Sequence, residues 1–315
     1  MHPRLFEIPF THIAVPAYGT MLMVGFLLAV WMARRRAAAI GLQKVEIFDM
    51  GIFAIIGGVL GARLMHVAVY WPDYFLRHDM WPKWMGSFGW LGAIVATWNG
   101  GLVFYGGLIG GMLALWIYTR RKRIPIVDVL DFVAAPAAVG LAMTRIGCFL
   151  NGCCFGHACS LPWAVTYPDR SSPYAVFEDG HLIGYHQAFP VHPTQLYETL
   201  AALTMAALLW WMVWPRRKFA GQTAFTFGML YAVWRFCNEF LRADTFADGP
   251  TLWPVHLSVF QYISVGLLLA FGLAYWEAWR IGRAPFEPPP AETARSGSKG
   301  GTHSDGAGPG ESGGG

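Results

Sequence analysis

Apolar residues recur along this chain in runs close to the roughly 20 residues that an α-helix needs to cross a bilayer. There are seven: Val15–Met32, Phe48–Tyr70, Gly101–Tyr118, Val127–Gly147, Leu196–Trp214, Ala224–Leu241 and Leu257–Ala278. The pattern predicts an all-α polytopic membrane protein with about seven transmembrane helices. Gly86–Trp98 reads as a further, interfacial helix. The long connection 148–195 mixes aromatics, prolines and both charge signs, as a small lid or head over one membrane face would. Residues 1–284 then form one transmembrane domain. Residues 285–315, rich in Pro, Gly and Ser, form a tail expected to be disordered because it has little apolar area to bury.

Basic residues interrupt this pattern at regular places. Arg34, Arg35, Arg36 and Lys44 follow the first run, and Arg120, Arg121, Lys122 and Arg123 follow the third. Arg216, Arg217 and Lys218 follow the fifth, and Arg280 and Arg283 follow the seventh. Cationic loops stay on the cytoplasmic side. The N-terminus is therefore expected outside and the C-terminus inside, with 148–195 extracytoplasmic. Met1–Pro16 lacks the basic region, apolar core and cleavage site of a removable signal peptide.

Composition agrees with the pattern and excludes other classes. The chain has 315 residues, 55% hydrophobic and 13% charged, with mean hydropathy +0.39. Soluble domains average about 25% charged. The net charge of +4 sits in short clusters beside apolar runs, which serves topology rather than nucleic-acid binding. The 15 tryptophans suit interfacial aromatic belts.

Against this apolar background, ionisable residues inside or at the ends of the runs stand out: Arg63, Arg145, Glu198, Arg235, Glu239 and Arg242. Arg235 and Glu239 share a helix face, and Tyr231 lies four positions earlier on it. One reading is structural ion pairing between helices. The other starts from the excess of arginines over acids, which an external anion such as lipid phosphate would balance. Guanidinium binds phosphate bidentately, so arginine suits that role better than lysine. The stretch Thr144–Gly156, TRIGCFLNGCCFG, brings Arg145 and three cysteines to membrane depth.

Gly100–Gly111, GGLVFYGGLIGG, allows close helix packing. It also allows a bulky lipid head to approach Tyr105 over the bare backbone of Gly106 and Gly107. In His192-Pro-Thr-Gln-Leu-Tyr-Glu198, Pro193 and Thr194 suit a helix start. There His192 and Gln195 satisfy loop backbone or contact substrate. Cys148, Cys153, Cys154 and Cys159 gather near His157, while Cys237 stands apart. Their spacing is not that of a zinc ribbon, so no metal site is assigned and a disulfide is the stronger expectation in an oxidising compartment. The cluster is expected to be structural.

Taken together, these pieces resemble the prolipoprotein diacylglyceryl transferases of bacteria. The resemblance runs from Tyr18-Gly19 to about Gln261. It rests on Gly61-Ala-Arg-Leu64, Gly106-Gly-Leu-Ile-Gly110, Arg145-Ile-Gly147, Asn151-Gly152, Gly156, His192-Pro-Thr-Gln-Leu-Tyr-Glu198, Tyr231-Ala-Val-Trp-Arg235, Glu239, Arg242 and Leu257-Ser258 with Gln261. It implies a transferase of the bacterial inner membrane that needs no cofactor. Such an enzyme moves the diacylglyceryl group of phosphatidylglycerol to the lipobox cysteine of a prolipoprotein and releases glycerol phosphate. By resemblance, Arg145, Arg235, Tyr105, Tyr18 and Glu239 are the catalytic candidates. Asn151, Gly106, Gly107, Gly156, Arg63, Tyr231, Arg242, His192 and Gln195, with Arg145, are the substrate-binding ones. Two departures stand out. Tyr105 occupies the place where the family often has histidine. Gly147-Cys-Phe-Leu-Asn-Gly-Cys153 replaces an asparagine and a glutamate of the family pattern by cysteines. The alternative expectation is a lipid or small-anion transporter built on the same arginines.

Overall fold

The computed structural model describes residues 4–7, 14–71, 103–168, 175–178, 181–185, 187–243 and 257–287, with backbone alone for 4–7, 14–15, 104, 175–178 and 181–185. The expected interfacial helix Gly86–Trp98 and the tail beyond 287 lie outside the described residues. The helices are α1 Ala17–Arg34, α2 Lys44–Val69, α3 Phe104–Lys122, α4 Ile126–Asn151, α5 Thr194–Ala207, α6 Gln222–Glu239 and α7 Val259–Ile281. The α5 rod continues through a wider π-type turn, Leu208–Val213, to Arg216. Two short antiparallel hairpins accompany the helices: β1 Arg4–Glu7 with β2 Ala14–Pro16, and β3 Ala175–Glu178 with β4 His181–Tyr185.

Among the described residues, α1, α2, α4, α7 and the rod Thr194–Arg216 are each long and apolar enough to cross a membrane. Their apolar side chains point outward: Leu22, Leu27, Ile56, Leu60, Leu269 and Leu273 are all exposed. In water that would be ruinous, but in lipid it is the low-energy arrangement, because lipid tails are as apolar as leucine. The chain is therefore a multi-pass membrane protein. Helix α4 is the exception, with half of its apolar window buried, and it touches α1, α3, α5 and α6.

The predicted runs match the helices to within a few residues, and the differences have local causes. Helix α2 begins at Lys44, before the apolar run, because Gln43 and Glu46 form a reciprocal capping box. Helix α4 does not stop at Gly147 but continues to Asn151, so Cys148 is helical and the long connection starts at Gly152. At the other margin, Pro285–Glu287 still belong to the folded part. The Phe286 N–H donates to Asp128 Oδ1 at 2.7 Å and its ring packs on the buried cluster around Phe132 and Trp214.

Consecutive helices run antiparallel, which sorts the side chains to two ends. At one end sit the basic residues. Arg36 donates to the Trp210 carbonyl at 2.7 Å and stacks on the Trp210 ring; Lys122 pairs with Glu46, and Arg283 with Asp128. At the same end Asp131, buried in α4, accepts the N–H groups of Gly221 and Ala224, each at 2.8 Å. Gly221 precedes α6 with φ of 96° and has no side chain to cap it, so the carboxylate of another helix satisfies the first-turn donors.

Glycines set the α2–α3 contact. Gly57 and Gly61 face Gly106 and Gly110: a Cβ on Gly61 would lie 2.3 Å from the Gly106 carbonyl oxygen, and one on Gly110 would lie 2.2 Å from that of Gly57. Small residues four apart let the two backbones touch. Gly107 is looser, its nearest approach being 3.4 Å. Gly61→Ala is therefore expected to lower stability by about 1–3 kcal/mol through overpacking, and Gly107→Ala to be near neutral. Thermal unfolding of the two variants in detergent checks this; equal melting points would reject the contact.

Candidate active site

The other end of the bundle holds the site, and the end of α4 organises it. Gly152, at φ of 77°, stops the helix in the left-handed conformation. The N–H of Cys153 reaches back to the Cys148 carbonyl at 3.2 Å and that of Gly152 to the Phe149 carbonyl at 3.3 Å. This paired closure is the Schellman motif, and it sets the two residues flanking it side by side. The next segment is sewn down on both sides. Gly156 N–H donates to the His192 carbonyl at 3.0 Å and His157 N–H to the Leu241 carbonyl at 2.9 Å. Thr194 Oγ1 donates to the Cys154 carbonyl, and Gln195 Nε2 to the Cys153 carbonyl, both at 2.7 Å. Gln195 also donates to the Tyr167 hydroxyl at 2.8 Å. A Cβ on Gly156 would come within 2.5 Å of the Leu241 carbonyl oxygen and 2.6 Å of the His192 Cβ, so only glycine fits between these strands of chain.

Two buried ion pairs lie beside this seam. Arg145 Nε of α4 is 3.0 Å from Glu198 Oε2 of α5. Arg235 Nη2 of α6 is 2.8 Å from Glu239 Oε2, one turn on. Both carboxylates are almost fully buried, and each is held by a further hydroxyl. Tyr231 donates to Glu198 Oε1 at 3.4 Å, and Ser258, the N-cap of α7, donates to Glu239 Oε1 at 2.9 Å. Tyr231 also feels the charges of Arg145 and Arg235, which joins the two pairs into one cluster. Arg242 closes the cluster from the end of α6, where its backbone bridges Gly156. Three guanidinium groups and, among the described residues, two carboxylates meet here.

The arginines are not saturated by the protein. Arg235 Nη1 is buried with no hydrogen-bond partner, and Arg145 Nε approaches its carboxylate without an aligned N–H bond. Their donors are left available to a ligand acceptor.

The structure brings most of the sequence candidates to this place. Tyr18, in the first turn of α1, packs against Gly147 and lies within electrostatic reach of Arg145 and of Cys148, Cys153 and Cys154. Asn151 ends α4 and hydrogen-bonds Cys153. His192 Nδ1 lies 3.3 Å from the Tyr197 hydroxyl, which also accepts from Trp163 Nε1 at 2.8 Å. Gln195 serves backbone and Tyr167, as a structural residue does. The remaining candidates sit on the α2–α3 pair. Gly106 packs tightly on Gly61 of α2, and Gly107 faces α2 more loosely. Arg63 is buried in α2, and Tyr105 opens α3 with 52% of its surface exposed.

Sequence reasoning missed Asn238. It is fully buried between Arg235 and Arg242, and both of its amide atoms lack partners. Its signal was position: it lies three after Arg235, on the same helix face. The cysteines were seen but not their grouping. All five are free thiols, so the expected disulfide is absent; the Sγ atoms of Cys148, Cys153 and Cys154 all lie within 4.8 Å of one another. Cys154 stands outside the helices. Its thiol is held well below the ordinary thiol range, first by S–H donation from Cys148 and Cys153, then by Arg242 and Arg145, against the opposing effect of burial.

Fold and site together define a multi-pass membrane protein with a buried arginine cluster at one end of the bundle. The chain belongs to the prolipoprotein diacylglyceryl transferase family, whose model matches residues 3–277. It is 34% identical over 265 residues to the phosphatidylglycerol–prolipoprotein diacylglyceryl transferase of Nitratidesulfovibrio vulgaris (strain Miyazaki F), covering 82% of this chain and 86% of that protein. The protein of the same name from Cupriavidus pinatubonensis is 30% identical over 299 residues, 92% of this chain and 97% of its own length. That from Bordetella parapertussis is 33% identical over 82% of this chain and 88% of its own.

A depressed thiol stays ionised as pH falls, so its reactivity should persist where ordinary thiols, with pKa near 8.5, are protonated. With iodoacetamide at about pH 6.5, two units below that value, Cys154 is expected to alkylate faster than Cys159 and Cys237. Peptide mass spectrometry over a pH series measures the rates, and parallel decline of all three would contradict the assignment.

Proposed function

We propose that this chain transfers the diacylglyceryl group of phosphatidylglycerol to the lipobox cysteine of a prolipoprotein, in the bacterial inner membrane. The observation that supports this is the buried cluster of Arg145, Arg235 and Arg242, in which Arg235 Nη1 is buried without a hydrogen-bond partner. The acceptor thiolate attacks the glyceryl carbon that bears the phosphate. A carbon–sulfur bond forms, the carbon–oxygen bond breaks with its electrons going to the phosphate, and glycerol phosphate leaves; the thiol proton is given up on the way. No cofactor enters this balance. The chemical demand is charge neutralisation on the leaving phosphate, which preorganised guanidinium groups meet without reorganising. Losing one such donor costs on the order of 2.7–4 kcal/mol. The transporter expectation is not favoured, because the relatives that cover most of this chain carry a transferase name.

In this reading Arg145 and Arg235 grip the phosphate, and Glu239 keeps Arg235 in its rotamer. Tyr18, Asn151, Tyr231, Arg242 and Asn238 shape the head-group pocket, with Gly156, His192 and Gln195 holding its floor. Tyr105 orients the lipid head by a hydrogen bond, Arg63 lies on the same α2–α3 wall, and the arginines' field activates the thiol. Residues 1–284 act as one transmembrane unit with seven crossings, and the connection 148–195 forms a head on the outer face.

Reconstitution with phosphatidylglycerol and a lipobox peptide tests the reaction. Arg145→Lys and Arg235→Lys are expected to lose about 100-fold or more in transfer, since lysine lacks the planar fork. Tyr105→Phe should lose no more than about tenfold, the worth of one hydrogen bond. Full activity of Arg145→Lys would remove the clamp, and a loss in Tyr105→Phe restored at high pH would make Tyr105 the base.

Orientation is tested separately. A reporter active only in the cytoplasm, fused after Arg283, should be active, as the basic clusters at that end of the bundle require. Activity of an export-dependent reporter at the same place would invert the topology.

A further inference from the structure

The thiols of Cys148, Cys153 and Cys154 have no part in the transfer just described, because the acceptor thiol belongs to the prolipoprotein. Yet the backbone goes to some trouble to gather them. The Schellman closure at Gly152 sets Cys148 beside Cys153. Cys154 then takes φ of 64°, a left-handed conformation that is disfavoured for a residue with a Cβ. The buried Thr194 and Gln195 side chains hold the carbonyls of Cys154 and Cys153 in that geometry. The outcome is three Sγ atoms within 4.8 Å of one another, with Cys148 buried beneath the other two.

We propose that Cys148, Cys153 and Cys154 form a three-thiolate binding site for monovalent copper. Three sulfurs at bonds of roughly 2.3 Å stand about 4 Å apart around a trigonal cation, so the observed triangle needs only a small contraction. Thiolates select soft d10 ions, Cu(I) and Zn(II) foremost. Zinc in closed sites takes four protein ligands; among the described residues the group has three, and no histidine or carboxylate joins it. Charge points the same way. Binding expels whatever protons the three thiols still hold and leaves three thiolates and one cation, a complex of charge −2. Arg145 and Arg242, the two arginines that act on Cys154, oppose that charge. Loading therefore places negative charge against the arginine cluster.

The test uses the reduced full chain in detergent, titrated with Cu(I) against bicinchoninate. A single equivalent is expected to bind with a thiolate-to-copper ultraviolet band and three sulfurs in the copper-edge X-ray absorption spectrum. Cys148→Ser, Cys153→Ser and Cys154→Ser should each weaken binding at least about tenfold, whereas Cys159→Ser and Cys237→Ser should not. Since a serine variant can fail to fold, the unaltered chain supplies a second reading: Cu(I) should protect Cys148, Cys153 and Cys154 from alkylation and leave Cys159 and Cys237 open. Copper retained by the triple-serine chain, absence of protection, or tighter binding of Zn(II) with a fourth ligand would each overturn the proposal. None of these readouts depends on transfer activity, so they stand or fall apart from the proposed reaction.

Discussion

A guanidinium group cannot be left alone near hydrocarbon, and much of one end of this molecule follows from that. Arg145 comes up on α4 and needs an acid; α5 supplies Glu198 within its first turn and a half. Arg235 on α6 needs another, and its own helix supplies Glu239 one turn later. Neither acid could be buried on Glu–Arg attraction alone, because desolvating both partners costs several kcal/mol per ion. Tyr231 and Ser258 add the hydrogen bonds that complete the carboxylates, and they come from α6 and from the start of α7. Meeting the needs of two arginines thus fixes where four helices end relative to one another. The pairs are incomplete: Arg235 keeps a buried Nη1 without a hydrogen-bond partner.

The seam through Gly156 makes that arrangement durable. Residues 153–159 lie between the end of α6 and the chain entering α5, with backbone hydrogen bonds to Leu241 on one side and His192 on the other. Buried Thr194 and Gln195 spend their polar groups on the Cys153 and Cys154 carbonyls, which would otherwise be orphaned at membrane depth. A loop that carries so many obligations cannot shift alone. Any motion that opens the arginine cluster must carry the start of α5 and the end of α6 together.

Much of this was legible in the sequence, and the reason is the bilayer. Hydrophobic length marked the helices because lipid leaves backbone no alternative partner, and the arginines stood out because their surroundings were apolar. What stayed hidden were matters of direction and closure. Nothing in the sequence said that Gly106 stands against Gly61 while Gly107 keeps more room. Gly147 looked like a helix end, but nothing beyond it broke the α-helix until Gly152. The three cysteines had no motif spacing, because a turn that folds back on itself, rather than a ligand repeat, unites them. Asn238 was silent for another reason: a lone amide carries no signal until its burial and missing partners are known.

The basic end of the bundle differs from the end that holds Arg145 and Arg235. It carries more positive charge than the site does, yet its cations are spent. Arg36 stacks on Trp210 and bonds a carbonyl, Lys122 holds Glu46, and Arg283 holds Asp128. Asp131 is occupied by the backbone of α6 and so neutralises a helix terminus. Each of these groups finds its partner within the protein or sits where headgroups and water screen it. At the other end the accounting differs, since screening fails at burial. An anion arriving from the lipid therefore gains most at the cluster around Arg145 and Arg235. The two ends thus hold their cations differently: by stacking, carbonyls and paired acids at one, and by deeply buried carboxylates at the other.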